Sequence, residues 1–547
     1  MRLSQLLVTL LVLISTISLI GCSGSASLPA NNPMVPPVVP HPTDVLTFHN
    51  DNSRTGQNLK ESILTPANVK STTFGKLQFF SVDGKVDAQP LYLSNVTVAG
   101  ALHNLLYVAT EHNGLYAFDA DTGAIVWHIS LLGPGESPSD DHGCDQVTPE
   151  IGITATGVID RTRGPNGAIY VIAVSKNGSG QYFQRLHALD ITTGTELFGG
   201  PQTIHASFPG TGANSSGGMV IFDPAQYTER AALLLLQGVV YFGFSSHCDF
   251  GSYTGWIMGY DASTLAQSTV LNLTPNGSEG SIWMSGGGLA ADSAGNIFLL
   301  DANGTFDTML DANGSPAQHD FGNAFLKIST ARGLAVADYF ASFDTVAESN
   351  ADTDLGSGGT VLLPDLTYGS GRVQHLAMGA GKDSRIYIVS RDAMGEFNAN
   401  SNNIYQELPS ALSGPVFSTP AYFNNTVYYG AVGDSIKAFA IANAFLGSLP
   451  SSQTSNSFPY PGTTPSISAN GTASPILWAV ENGATAVLHA YDATNLRHEL
   501  YNSSQAGSGR DQFGMGNKFI TPTIANGRVY VGTTNGVVTF GLLPLSH

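Results

Sequence analysis

Between Leu115 and Trp127 the chain reads LYAFDADTGAIVW. Apolar residues alternate with smaller or polar ones up to Asp119, a polar turn follows, and a second apolar run returns. Alternation of period two suits a strand with one buried face, and Asp-x-x-Thr-Gly suits a tight turn between two such strands. The carboxylate can accept hydrogen bonds from the backbone N–H groups just ahead of it, while Gly allows positive φ. The pattern predicts a β-hairpin. It returns as LHALDITTGTELF, IMGYDASTLAQSTV and LHAYDATNLRHEL, so the hairpin is a repeating unit.

Eight segments share a strand ending in an aromatic, a short turn and a hairpin strand. They begin at Asn104, Ala168, Val239, Asn296, Arg385, Thr426, Ala484 and Arg528. Their intervals are close to what a four-stranded propeller blade with some long loops requires. Each unit has two apolar faces and cannot close its own core, so the units must pack around an axis. The predicted fold class is therefore all-β, a β-propeller of eight four-stranded blades, or of seven if the degraded fourth and sixth copies fail to form. A sandwich would explain the strands but not the repeat. Helical signals are weak throughout.

Length and composition agree: 547 residues, Gly-rich and only 12% charged, suit many short strands joined by turns. The formal net charge of −19 argues against nucleic acid as a partner, because phosphate requires a basic surface.

The N-terminus changes the picture. MRLSQLLVTLLVLISTISLIGCSGSAS places Arg2 before an apolar run that ends in small residues, as a secretory signal does; a retained transmembrane anchor is the other reading. LIGC, ending at Cys22, resembles the bacterial lipobox, whose cysteine becomes the lipid-modified first residue. The Pro- and Ser-rich stretch after it suits a tether. The expected organisation is a lipoprotein signal peptide over 1–22, a tether over 23–46 and the propeller over 47–547. The expected location is the bacterial cell envelope, with a lipid anchor in the membrane, on the periplasmic side or at the outer membrane. Of the three cysteines, lipidation of Cys22 leaves Cys144 and Cys248. In an oxidising compartment an even remainder is compatible with a disulfide, and two unpaired loop residues are the alternative.

LYAFDADTGAIVW also resembles the blade motif of the pyrroloquinoline quinone repeat family, which includes the quinoprotein alcohol dehydrogenases. NDNSRTGQNLKESILTPANV resembles the lead-in to that propeller, and the likeness covers nearly everything after the tether. The motif is specific for the fold and not for activity, since related propellers without quinone serve as scaffolds.

The resemblance implies a site. Trp283 lies where the family's floor tryptophan stacks on the quinone; its alternative is an aromatic that docks blades. Asn303 matches the asparagine whose side-chain oxygen binds calcium, and an amide oxygen is an ordinary calcium ligand. Asp354, in NADTDLGSGG, matches the catalytic aspartate and shares the metal. Lys382, in GAGKDSRIYIVS, matches the basic residue presented to the quinone oxygens, with both a catalytic and a cofactor-binding role. A carboxylate there is a suitable base for an alcohol proton, and a cation stabilises charge developing on oxygen. The bland reading has Asp352 and Asp354 capping a turn and Lys382 in solvent.

The departures are equally specific. Only Cys144 stands where the family has adjacent cysteines, and the arginine that should follow is missing. The usual glutamate ligand is missing too; Asp249 or His247 occupies its neighbourhood. No Cys-x-x-Cys-His, Gly-x-Ser-x-Gly, His-Glu-x-x-His or phosphate loop occurs, which argues against a built-in cytochrome and against hydrolase, zincin and nucleotide chemistry. Two functions follow: oxidation of an alcohol or sugar with pyrroloquinoline quinone and calcium, or a non-catalytic propeller that binds an envelope protein or glycan.

Overall fold

The repeated aspartate does what its chemistry predicts. In the computed structural model, which describes residues 43–369 and 371–544, Asp119 Oδ1 accepts from the N–H groups of Asp121 and Thr122 and from the Thr122 hydroxyl, at 3.1, 2.8 and 2.7 Å. These bonds join the antiparallel strands Gly114–Asp119 and Ile125–Ser130, and Gly123 closes the turn at φ 78°. Asp190, Asp261 and Asp492 hold the N–H two residues ahead at 2.8, 2.8 and 2.9 Å. Burial opposes ionisation of Asp119, but hydrogen bonds from His103 and Thr122 outweigh it and keep the carboxyl below its ordinary range.

Among the described residues, eight sheets have four or more strands, and each repeat segment contributes a strand to a different one. The last sheet is composite. Its strands Thr523–Ala525, Arg528–Gly532 and Gly536–Leu542 are completed by Phe74–Ser81, which pairs antiparallel with the final strand and ties the two ends of the fold together. The fourth copy is stretched, with residues 301–324 inserted between Asn296–Leu300 and Phe325–Ser329, yet those strands still pair. The sixth pairs normally. The fifth breaks the predicted hairpin: Glu396–Phe397 adds in parallel to Ala335–Ala341 of the fourth sheet, and Ile386–Ser390 pairs with Gln406–Leu408 instead.

One short stretch gathers the sheets. Val45 pairs with Tyr92 in the first sheet, and Leu46 O accepts from Ile159 in the second. Asn52 donates to Leu235 O in the third and accepts from Ala291 in the fourth. Ser53, Thr55 and Gly56 carbonyls accept from Leu362, Tyr422 and Ile467, in the fifth, sixth and seventh sheets. Asn58 Nδ2 donates to Ile524 O in the eighth at 2.8 Å. The sheets are met in chain order, and in most of them the partner lies in the leading strand; in the second, Ile159 lies in Val158–Asp160, which follows Glu136–Asp140 and Glu150–Ile151. Val45–Asn58 can reach at most about 50 Å when fully extended, so the leading strands must converge. Arg54, fully buried, anchors the stretch through Leu289 O at 2.9 Å, Thr47 Oγ1 at 2.7 Å, Phe48 O at 2.9 Å and Leu233 O at 3.2 Å.

This pairing corrects one expected boundary. Val45 is fully buried and Asp44 holds Arg161 in an ion pair, so the packed chain begins before residue 47. Cys22 and most of the expected tether lie outside the described residues. The described residues belong to one unit, Pro40–His547.

The aromatic at the end of each repeat strand also has a physical reason. Tyr107 donates to Ile191 O, Tyr170 to Ala262 O and Tyr428 to Ala493 O, at 2.9, 2.6 and 2.8 Å. Each acceptor directly follows the turn aspartate of the next sheet. A tyrosine fills the apolar space between sheets and satisfies a buried carbonyl in its neighbour, so one residue type serves both packing and register.

Candidate functional site

The segments leading into the sheets arrive at a common cavity before they reach the Val45–Asn58 stretch. Ile151, Thr228, Trp283, Asp354, Phe417 and Tyr460 line the cavity, and each precedes its sheet's contact with that stretch by only a few residues. Cavity and stretch therefore mark opposite ends of the leading strands. The cavity holds about 280 Å³, near the lower end of the range for small-molecule sites.

One wall is polar. Asn303 follows strand Asn296–Leu300 as it leaves the fourth sheet, and its Nδ2 donates to Asp352 at 2.8 Å and to Asp249 at 3.5 Å. Asp352 is held at φ 54° by the turn that follows the short helix Thr345–Asn350. Asp354 precedes the helical turn Leu355–Ser357, and its carbonyl accepts from the Lys382 N–H at 2.9 Å, which joins the two segments. The Lys382 ammonium donates to Asp352 and lies 2.7 Å from Asp354 Oδ1. Asp249, in turn, accepts from Tyr253 and Ser246.

Electrostatics divide these groups. Burial pushes Asp354 above the ordinary carboxylate range, and attraction to Lys382 offsets this only in part. Burial also opposes ionisation of Asp352, but the hydrogen bonds from Lys382 and Asn303 hold that carboxyl low. Burial acts against the Lys382 charge, yet Asp354 and Asp352 keep its pKa above the usual lysine value. The two neighbouring aspartates thus have opposite tendencies, a common mark of a functional site.

The other wall is aromatic: Trp283, Phe417 and Tyr460 line it, with Phe417 and Phe519 edge-on to Trp283 at 5.7 and 5.4 Å between ring centres. Cys144 and Cys248, which also line the cavity, form a disulfide with their Cα atoms 5.6 Å apart. His142 and His247 stack beside it at 4.0 Å, and burial followed by the neighbouring His142 charge lowers His247 to about 4. Cys248, Asp249 and Met284 all carry φ near 50°, a left-handed conformation that non-glycine residues seldom adopt. Strain of this kind gathers at sites that a fold must hold open for a purpose.

Solved structures share this architecture. Over 92% of the chain it superposes on a quinohemoprotein alcohol dehydrogenase from Comamonas testosteroni, at TM-score 0.57 and 13% identity, covering 82% of that protein. The chain has the quinoprotein dehydrogenase propeller fold. A quinohemoprotein alcohol dehydrogenase from Pseudomonas putida aligns over 92% of this chain and 81% of its own, at TM-score 0.58 and 14% identity. A europium-containing methanol dehydrogenase aligns over 92% and 99%, at 0.57 and 12%. Neither a protein-family profile nor a curated protein matches the sequence.

Within this propeller, Trp283, Asn303, Asp354 and Lys382 line one cavity, and the Cys144–Cys248 disulfide borders it. Lys382 is not a solvated surface lysine, since its side chain is 19% exposed and paired with two carboxylates. Asp352, whose sequence context marks only a turn, joins the site. Phe417 and Tyr460 were missed. They precede the leading strands of the sixth and seventh sheets just as Trp283 precedes that of the fourth, and that equivalence was the available signal.

The residues fit a hard cation. Among the described residues, no three histidine, cysteine or carboxylate side chains group by themselves as a metal site. The Asn303 amide supplies the further donor: its Oδ1 is buried and has no hydrogen-bond partner. Oxygen donors from Asn303 and Asp354 suit calcium. With all groups ionised, the lining carboxylates of Asp141, Asp249, Asp352 and Asp354 against the one Lys382 ammonium leave three negative charges at the cavity wall.

Proposed function

We propose that the cavity binds pyrroloquinoline quinone with calcium and oxidises a small alcohol or sugar. The observation that carries this reading is the partnerless Asn303 Oδ1 in a cavity that Asp354, Lys382 and Trp283 also line. Bound there, the quinone and cation would supply the electron acceptor and its polarisation. Asn303 and Asp354 would hold the cation. Trp283 would give the flat surface for stacking, and Asp354 would take the hydroxyl proton. Its raised pKa makes it a stronger base than an exposed aspartate once it is ionised. The nearby Lys382 charge would favour negative charge on oxygen. A trivalent cation, as in the europium-containing neighbour, would find the same oxygen donors.

The eight sheets are read as eight blades. The experiment is an absorbance titration of the purified full chain with the quinone, with and without calcium, followed by dye-linked turnover of alcohols and aldoses. Saturable binding that needs calcium supports the reading. Its absence returns the protein to the second class, a propeller that binds an envelope protein or glycan without chemistry.

We further propose export and lipid anchoring through Cys22, carried by the LIGC sequence. Cys22→Ala should abolish fatty-acid labelling in a bacterial host, and labelling that persists would overturn the anchor.

A further inference from the structure

Two of the carboxylates that line the cavity are held by neutral donors alone. Asp141 accepts from the Gly143 N–H at 3.0 Å and the Thr148 hydroxyl at 2.8 Å. Asp249 accepts from the hydroxyls of Tyr253 and Ser246 and from the Asn303 amide. Such bonds satisfy the oxygens and leave the charge unbalanced. Among the described residues, Lys382 is the only lysine or arginine that lines the cavity, and it is committed to Asp352 and Asp354. His247 lines it too, but burial, followed by the His142 charge, lowers its pKa to about 4, so it is neutral at pH 7. The cavity therefore presents negative charge that the protein does not offset, and the buried Asn303 Oδ1 beside Asp249 adds an acceptor without a donor.

The same cavity has an aromatic wall. Phe417 stands edge-on to Trp283, with 5.7 Å between ring centres, and to Tyr460, with 5.5 Å, at 73° in both pairs. Rings set at such steep angles border a corner, so a rounded group seated there meets more than one of them. The wall also joins the acidic side. The Tyr460 hydroxyl donates to Gln146 Oε1 at 2.8 Å, and Gln146 shares with Asp141 the loop between Glu136–Asp140 and Glu150–Ile151. The electron-rich face of an aromatic ring attracts an organic cation within about 6 Å of its centre, more strongly when both are desolvated. Lys518, which does not line the cavity and donates to the Asp145 carbonyl at 2.9 Å, already lies over the Tyr460 ring at 5.7 Å.

We propose that the cavity selects a ligand carrying a small organic ammonium group, and that the alcohol it oxidises bears one. A plain alcohol or neutral sugar would leave Asp141 and Asp249 unbalanced, and a metal ion alone would make no use of the aromatic corner. An alkylated ammonium suits both, because its charge is spread over methyl groups that pack against rings. The ammonium site needs only that the cavity bind a ligand, whereas the oxidation rests on the quinone reading above. In that step the alcohol would give its hydroxyl proton to Asp354 and its carbinol hydrogen, with the electron pair, to the quinone, and leave as the aldehyde. The carboxylates of the quinone would add to the negative charge and favour a cationic alcohol further.

Calorimetric titration of the full chain tests this with choline and with its uncharged isostere, in which a tert-butyl group replaces the trimethylammonium. Choline should bind about tenfold more tightly than the isostere, a difference that a desolvated cation–π contact supplies. Phe417→Leu should remove most of that preference by weakening choline alone. Phe417→Tyr keeps the ring and should retain the preference, which separates loss of the aromatic face from loss of fold. Asp141→Asn should likewise weaken choline and spare the isostere. Equal binding of the two ligands, binding of neither, or a preference that Phe417→Leu leaves untouched would overturn the ammonium site. A choline preference without turnover of any alcohol by the protein loaded with quinone and calcium would uphold the ammonium site and sink the quinone reading. Turnover with kcat/KM no higher for choline than for the isostere would overturn the ammonium selectivity and leave the quinone reading standing.

Discussion

Lys382 Nζ lies 2.7 Å from Asp354 Oδ1 while also donating to Asp352, so one ammonium ties together two carboxylates of opposite tendency. Attraction to Lys382 offsets in part the burial that raises the Asp354 pKa.

Asp354→Asn should leave the fold intact and remove calcium-dependent quinone binding, because an amide carries no charge to offset a cation. In the metal-free protein Asp354 should titrate above the ordinary aspartate value of 3.8, because burial outweighs the pull of Lys382. Lys382→Met removes the attraction that opposes burial, so the inflection should move further up. Carboxyl NMR titration of the two metal-free proteins checks the direction, and a downward move in Lys382→Met would refute the assignment.

The Val45–Asn58 stretch predicts a stability effect far from the cavity. Arg54→Met would leave the carbonyls of Leu289, Phe48 and Leu233 and the Thr47 hydroxyl without their donor. Breaking such a buried network costs about 3–5 kcal/mol. Urea unfolding should show a lower midpoint with an unchanged slope.

The turn aspartates predict an acid limb. A carboxyl held below its unfolded pKa contributes stability that is present above the unfolded value and lost as pH falls through the folded one. For Asp119 and Asp190 the loss begins as pH drops towards 3.8 and continues below it. Asp119→Asn keeps an acceptor for the turn N–H groups but does not titrate. Melting temperatures measured from pH 6 downward should fall less steeply for this variant than for the wild type.

The disulfide closes a span of 104 residues between Cys144 and Cys248. Its removal in a Cys144→Ser, Cys248→Ser protein should cost about 2–4 kcal/mol. Mass spectrometry after alkylation without reductant should find no free thiol at either position. Two modified cysteines in the folded, exported protein would contradict the bond.

The fold was largely legible because its determinants are local and repeated. Asp119, Asp190, Asp261 and Asp492 each set a turn using neighbours within a few residues, and strand alternation marks the faces to be buried. The fifth copy misled because whether Glu396–Phe397 folds back or adds to the sheet beside it depends on which edge is free, and no local pattern records that. Part of the site was legible through motif order alone: Trp283, Asn303, Asp354 and Lys382 came from the resemblance, while Phe417 and Tyr460 had no motif to mark them.

By itself the sequence determined the repeating hairpin, the all-β class and the polar residues from which a site could be made, since each depends on side-chain chemistry over short separations. Only the tertiary structure decided that Asn303, Asp352, Asp354 and Lys382 share one cavity and that Cys144 meets Cys248. Those relations hold between different sheets. They arise because Val45–Asn58 and the composite eighth sheet draw the leading strands together, and this convergence brings residues distant in the chain into hydrogen-bond range.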